Sequence, residues 1–214
     1  MRITGSGGRD MADYGLYWRK GSGSMVVEAA LRLIGVGFDR HEVPDTFAAE
    51  FTAINPAAKV PVLVLPTGQV IAESAAILLA LDDAFPEARL LPPQATPARN
   101  AAVQWLVFMT ANIYPAMLRF YYPERHTADA APEAIDAVRR KAAADMTRDF
   151  AQLAAAIAGP FLVGERMTIT DVYAAMLADW HEPARAMPDY AELTAALLKH
   201  PAVAEAWASH GFGT

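Results

Sequence analysis

The stretch that decides the fold runs from Asn55 to Ser74 and reads NPAAKVPVLVLPTGQVIAES. Pro61 stands where the apolar run Val62-Leu63-Val64-Leu65 begins to read as a buried strand. The stretch closes on Glu73-Ser74, an acid and a hydroxyl at the opening of a helix. Two apolar runs flank Pro66-Thr67-Gly68-Gln69, a turn sequence, so an antiparallel hairpin is expected. A proline has no N–H to give to a sheet, so on local grounds Pro61 begins a strand at an edge.

Upstream, GLYW at 15–18 reads as a short strand running into the loop RKGSGS. MVVEAALRLIG at 25–35 then reads as a helix with Val26, Ala29, Ala30, Leu33 and Ile34 on one face and Gly35 as its C-terminal cap. FDRHEV follows at once and ends at Pro44, completing a βαβ unit that favours a parallel pair. Downstream, SAAILLALDDAF is a helix closed by Pro86, and PEARLLPPQATP at 86–97 has the proline content and lack of period of a linker.

Everything beyond is helical in pattern. A long apolar helix is expected from Ala98 to Tyr122, bent at Pro115, and a long amphipathic one from Pro132 to a cap at Gly159. Thr168 with Asp171 three residues on is a reciprocal capping arrangement that starts a buried helix. The organisation expected is a flexible tail at 1–10, an α/β unit at 11–85, a linker at 86–97 and an all-helical unit at 98–214.

Composition narrows the chemistry. Eighteen Lys and Arg against 24 Asp and Glu give 214 residues a formal charge of −6, which lacks the basic field of a nonspecific nucleic-acid binder, so no nucleic-acid partner is expected. Cysteine is absent, which excludes disulfides and any protein thiol, so sulfur chemistry would need a ligand that brings the sulfur. The five histidines show no ligand spacing, and no metal is expected. The opening MRITGSGGRDMADYG lacks the apolar run of a signal peptide. No 18-residue apolar stretch is free of charges and prolines, so neither a membrane span nor export from the cytoplasm is expected.

A mixed βαβ-ββα sheet, a proline opening the third strand, a proline-rich linker and an all-helical second half together resemble the glutathione S-transferase superfamily. The resemblance rests most on NPAAKVPVL, VIAESAAILLAL and GERMTITDVYAA, and covers the chain from Met11. It implies an α/β N-terminal thioredoxin-like domain plus an all-α C-terminal domain, glutathione as co-substrate, and a homodimer.

It also implies a cis Val60-Pro61 bond that leaves the Val60 N–H and C=O aimed at the cysteinyl unit of glutathione. Ser74 at a helix N-terminus would hold the γ-glutamyl carboxylate, and Glu73 would accept from the α-ammonium. Lys59 would pair with the glycyl carboxylate, or is a solvated charge.

For the thiolate, the resemblance points to a hydroxyl near the first helix. Bacterial beta-class members carry Gly-Ala-Cys-Ser where this chain reads Gly21-Ser22-Gly23-Ser24, so glycine replaces the cysteine, and Trp18 stands where a tyrosine would be. Ser24 is the first candidate catalytic residue and Ser22 the second; the alternative is a plain flexible loop with Ser24 as an N-cap. Tyr114, where the beta class carries a histidine, and Thr110 one turn before it are candidate contacts to a hydrophobic second substrate. The activity implied is conjugation of glutathione to a hydrophobic electrophile, as in detoxification. The alternatives are glutathione-dependent peroxide or disulfide reduction, and a noncatalytic binding protein that keeps the fold.

Overall fold

A computed structural model describes residues 14–212; the tail expected at 1–10 lies outside the described residues. Strands β1 (Tyr14–Trp18), β2 (Phe38–Glu42), β3 (Val62–Val64) and β4 (Val70–Ala72) form one mixed sheet in the order β2-β1-β3-β4. β1 and β2 are parallel, with Tyr14 opposite Phe38, because the helix α1 (Ser24–Ile34) carries the chain back across the sheet. β3 runs antiparallel to β1 and to β4, so the 62–72 hairpin forms as its turn residues require.

α1 is more buried than its sequence pattern implied. Every residue from Ser24 to Leu31 is buried, whereas Leu33 and Ile34 are only half-buried. A one-sided helix was expected; instead α1 lies against the sheet and also meets α3 (Ser74–Ala84), α7 (Ile169–Asp179) and α10 (Pro201–Ser209). Gly35 caps it in the left-handed conformation, its N–H donating to the Leu31 carbonyl.

Burial of α1 takes the Glu28 carboxylate with it. Its oxygens receive Arg32 Nη2 at 2.9 Å, Arg40 Nε at 3.3 Å, Ser209 Oγ at 3.1 Å and His210 Nε2 at 3.0 Å. Burial works to raise the Glu28 pKa, but the hydrogen bonds from His210 and Arg32 and the charge of Arg40 outweigh it and hold the carboxyl below its ordinary range. The cluster fastens the last helix of the chain to the first.

The proline-rich segment between the two halves is anchored to both of them. Leu90 and Leu91 are buried; the Leu91 N–H donates to Asp82 Oδ1 at 2.9 Å and the Leu90 carbonyl accepts from Ile169 N–H at 2.8 Å. The first half also holds the short helix α2 (Ala49–Thr52); beyond the linker the chain turns helical with α4 (Pro97–Phe108), capped by the Thr96 side chain.

The single helix expected over 98–122 is interrupted. α4 and α5 (Tyr114–Tyr121) are joined by a π-type turn at Met109–Ile113, in which the Tyr114 N–H reaches back five residues to the Met109 carbonyl. Pro115 has no N–H for the carbonyl four residues before it, so the ladder widens one turn ahead of the proline instead of merely bending there. Among the described residues Pro97–Tyr121 is the one run long and apolar enough to cross a membrane by length and composition. Its Leu106, Met109, Ile113, Ala116 and Met117 lie in the core of the helical half.

α6 (Pro132–Ala154) ends before Gly159, with 3₁₀-type bonds from Ala156 and Ile157 N–H back to Leu153 and Ala154 carbonyls closing it. α7 is the central helix of this half, with every residue from Ile169 to Ala178 buried. Asp171 begins it: its carboxylate accepts from Thr168 N–H and Thr168 Oγ1, both at 2.7 Å, and from Leu162 N–H at 2.6 Å. Short helices α8 (Glu182–Arg185) and α9 (Pro188–Leu197) lead into α10.

Candidate functional site

A cleft of about 800 Å³ separates the hairpin side of the sheet from the π-type turn, α5 and α7. Its floor on the sheet side is the loop leading into β3. Asn55, nearly buried, donates through Nδ2 to the Lys59 carbonyl at 2.7 Å and accepts the Ala57 N–H at 3.2 Å, which folds 55–59 into a tight turn. The Val60-Pro61 bond that follows is cis. Among the described residues neither the N–H nor the C=O of Val60 has a hydrogen-bond partner, and both belong to a residue lining the cleft. Lys59 beside it is exposed, with no carboxylate within 4 Å among the described residues.

The adjacent wall is the start of α3. Glu73 precedes the helix with φ +67° and ψ 114°, a conformation that non-glycine residues rarely adopt and that turns its carboxylate-bearing residue to the cleft. No side chain caps the helix, so the first N–H groups of α3 face the cleft unclaimed. Ser74 is the first helical residue, and its Oγ lies 2.9 Å from the Tyr173 hydroxyl of α7. Tyr173 is fully buried, and desolvation pushes its phenol far above the ordinary tyrosine range, so it stays protonated. This contact joins residues 99 apart in sequence and ties the two halves together at the site.

The third wall is the loop after β1. Ser22 lines the cleft, whereas Ser24 is fully buried behind it. Their Oγ atoms are 2.6 Å apart, and both lie within reach of the Arg19 carbonyl, Ser22 at 2.7 Å and Ser24 at 3.1 Å. Ser24 is the first residue inside α1 and Gly23 takes the cap position, so the reading of Ser24 as an N-cap does not hold. Gly23 itself is in close contact with Tyr114. A Cβ at position 23 would stand 3.4 Å from Tyr114 Cε2 and 3.5 Å from its hydroxyl, so the tyrosine ring fills the room a longer side chain would need. Burial raises the Tyr114 pKa, and a hydrogen bond from the Gly23 main chain partly offsets that.

Toward the solvent the cleft becomes aromatic. Tyr114 meets Trp180 edge-on at 5.6 Å, the Tyr121 hydroxyl donates to the Trp180 carbonyl at 2.5 Å, and Tyr122 carries the Arg125 guanidinium 4.3 Å over its ring. Thr110 also lines the cleft, but its hydroxyl donates back to the Leu106 and Val107 carbonyls, at 3.0 and 3.1 Å, within the π-type turn.

Ser22, Lys59, Val60, Pro61, Glu73, Ser74, Thr110 and Tyr114 are thus brought around one cavity, and Ser24 is held one layer behind. Asn55 and Tyr173 were missed by sequence reasoning. The Asn-Pro pair that opens the loop is a turn signal that points to Asn55. Nothing local marks Tyr173, whose partner is in the other half of the chain.

Residues 24–84 match the family model described as glutathione S-transferase, N-terminal domain. Over 178 residues the chain is 30% identical to the uncharacterized GST-like protein YncG of Escherichia coli (strain K12), a match covering 77% of this chain and 80% of that one. The chain belongs to the glutathione S-transferase superfamily. A glutathione transferase from Methylococcus capsulatus superposes with a TM-score of 0.77 at 27% identity, over 92% of this chain and 98% of its own. A sphingomonad glutathione S-transferase complexed with glutathione does so with a TM-score of 0.77 at 25% identity, over the same shares of the two chains. The expected fold, an α/β thioredoxin-like half and an all-helical half, is the fold of this transferase family. At Gly23, where the resemblance implied a cysteine in beta-class members, the Tyr114 ring lies against the glycine.

Proposed function

We propose that this protein is a glutathione transferase that binds glutathione in the cleft and delivers its thiolate to an electrophile with an apolar body. The observation that carries the reading is the unpaired Val60 main chain beside the uncapped N-terminus of α3. An extended peptide pairs with the first, and a carboxylate suits the second. In this reading Val60, presented by Pro61, meets the cysteinyl unit; Ser74 and the α3 N–H groups hold the γ-glutamyl carboxylate. Glu73 accepts from the ammonium, and Lys59 pairs with the glycyl carboxylate. That the complexed sphingomonad relative holds glutathione on the same fold supports the ligand. The glutathione-binding unit spans 11–85, the linker 86–97 and the helical unit 98–214, and the enzyme works in the cytoplasm as a homodimer, as family membership supports.

The chemistry needs only a stabilised thiolate. A thiol with a pKa near ~8.5 is mostly protonated at neutral pH, and each unit of lowering requires about 1.4 kcal/mol of differential stabilisation. In the proposal Ser22 donates to the sulfur from the loop, and Tyr114 donates from the opposite wall with a proton that its raised pKa retains. Ser24, too buried to touch a ligand, positions Ser22 and takes over the Arg19 carbonyl when Ser22 turns to the sulfur. Thr110 shapes the wall without contributing a free donor, and the aromatic mouth takes the electrophile.

Calorimetric titration of glutathione into the wild type and into the Glu73→Ala, Ser74→Ala double variant tests the ligand. Saturable binding that the double variant abolishes is the expected result; no binding at millimolar glutathione would overturn the reading. A second reading, glutathione binding without chemistry, is favoured by the engagement of both loop serines with the Arg19 carbonyl. Ultraviolet thiolate absorbance on binding separates the two: it rises at neutral pH for a transferase, and Ser22→Ala or Tyr114→Phe reduces it.

A further inference from the structure

The charge of the cleft runs against the charge of the chain. On a protein with a formal charge of −6, the charged side chains lining the cleft are Arg19, Lys20, Lys59 and Arg125 against the single carboxylate of Glu73. Glutathione accounts for part of that set: its two carboxylates are met by Lys59 and the α3 N-terminus, and its ammonium by Glu73. Arg19, Lys20 and Arg125 are left over. Arg19 and Lys20 have no carboxylate within 4 Å among the described residues, and the one beside Arg125, Glu124, stands 3.9 Å away in a pair exposed on both sides. Such a pair holds its partner weakly.

Two of these cations are placed by the fold. Lys20 lies across the backbone of Gly211, where any side chain would collide with its Cε, so its ammonium is carried at the mouth against the end of the chain. The Arg125 guanidinium sits over the Tyr122 ring at 4.3 Å, which holds it at the mouth and leaves its nitrogens open to a planar acceptor. The surrounding mouth, Tyr114, Tyr121 and Trp180, is suited to a flat ring.

We propose that the electrophile of this transferase is an anionic aromatic compound, its ring among the tyrosines and its carboxylate paired with Arg125, with Lys20 and Arg19 adding to the attraction. The inference rests on the glutathione-transferase reading above and names the substrate class of that same cleft. For an activated aryl halide the step balances simply. The glutathione thiolate attacks the halogen-bearing ring carbon, the C–S bond forms, the C–Cl bond breaks, chloride leaves, and the thiol proton passes to solvent.

The test compares 4-chloro-3-nitrobenzoate with its uncharged primary amide at saturating glutathione, each rate divided by the uncatalysed rate. The acid is expected to have the higher kcat/KM by about tenfold, the scale of one charge-assisted bidentate contact. Arg125→Gln should remove that advantage while leaving the amide and the KM for glutathione within about twofold. Equal kcat/KM for acid and amide in the wild type, or equal losses in the variant, would overturn the proposal.

Binding of the two S-aryl glutathione adducts gives a readout that needs no turnover. Tenfold tighter binding of the carboxylate adduct, lost in Arg125→Gln and reduced in Lys20→Gln, supports the assignment; equal affinities refute it even where glutathione binds normally. Absence of binding by glutathione and both adducts is instead the failure of the glutathione reading, and takes this inference with it.

Discussion

The Ser74–Tyr173 contact makes a sharp quantitative prediction, because its two partners differ in what they lose. Ser74→Ala strands the Tyr173 hydroxyl, which is wholly buried and has Ser74 as its side-chain partner. An unsatisfied buried hydroxyl costs about 1–3 kcal/mol, and the upper half of that range applies where no water can reach. Tyr173→Phe strands Ser74 Oγ instead, but Ser74 is 8% exposed at the cleft, so solvent can replace the lost partner and the cost falls to about 1 kcal/mol. The double variant removes both polar groups together and should cost about as much as Tyr173→Phe alone. The expected coupling is therefore about 2–3 kcal/mol, read from guanidinium or urea unfolding of the four proteins. In a chain of 214 residues each kcal/mol moves the melting midpoint by about 2–4 °C, so thermal scans should repeat the pattern. Costs that add to within about 0.3 kcal/mol would show that the two hydroxyls do not depend on each other, and the account of how the halves are joined at the site would fail.

Glu28 controls the acid side of stability. Its carboxyl is held below the ordinary range, so its contribution is present above the unfolded-state value near ~4.3 and is lost as pH falls through the folded-state value. Glu28→Gln should lose about 2 kcal/mol at neutral pH and show a flatter acid limb in unfolding measured from pH ~6 downward; an unchanged limb would refute the assignment. Asp171→Ala leaves the Leu162 and Thr168 N–H groups without their acceptor and should cost about 3 kcal/mol by denaturant unfolding, with Asp171→Asn milder because the amide oxygen still accepts. Gly23→Ala should be tolerated at the 3.4 Å contact, but Gly23→Val must displace the Tyr114 ring from Trp180. A loss of about 1–3 kcal/mol and altered tryptophan fluorescence are expected for valine alone.

Most of the site was legible because its chemistry is written in backbone terms. A Pro at the head of a buried strand and an acid-hydroxyl pair opening a helix are local features; by themselves they suggested an edge strand and a plain helix start, whereas β3 lies inside the sheet, and it was the family resemblance that gave Val60, Glu73 and Ser74 their roles. The loop serines were harder. Both are small and polar among glycines, and only packing decides that Ser22 faces the cavity while Ser24 is sealed beneath it. The Gly23–Tyr114 fit and the Tyr173 hydroxyl depend on contacts between the halves, which periodicity cannot reveal. In the fold, the helices of the first half follow their apolar spacing, yet α1 hides Glu28 on a face that the pattern left open, because Arg40, Ser209 and His210 converge on it from other elements and Arg32 joins them from one turn along the helix. The break between α4 and α5 was half visible: the proline was plain, but the widened turn ahead of it is a choice between two ways of coping with a missing N–H.

That widened turn has a consequence for how this chain is compared with others. A turn closed over five residues instead of four holds one residue more than regular helix would over the same rise. A homologue lacking one residue between 109 and 113 would keep α4 and α5 in place with an unbroken ladder, and its counterpart of Tyr114 would be one position earlier in the count. Matching such helices position for position, with no gap allowed at the turn, sets Ile113 in place of Tyr114 against the homologue's residue at that site. Which side chain lies against position 23 is therefore a question of helix length as well as of residue identity.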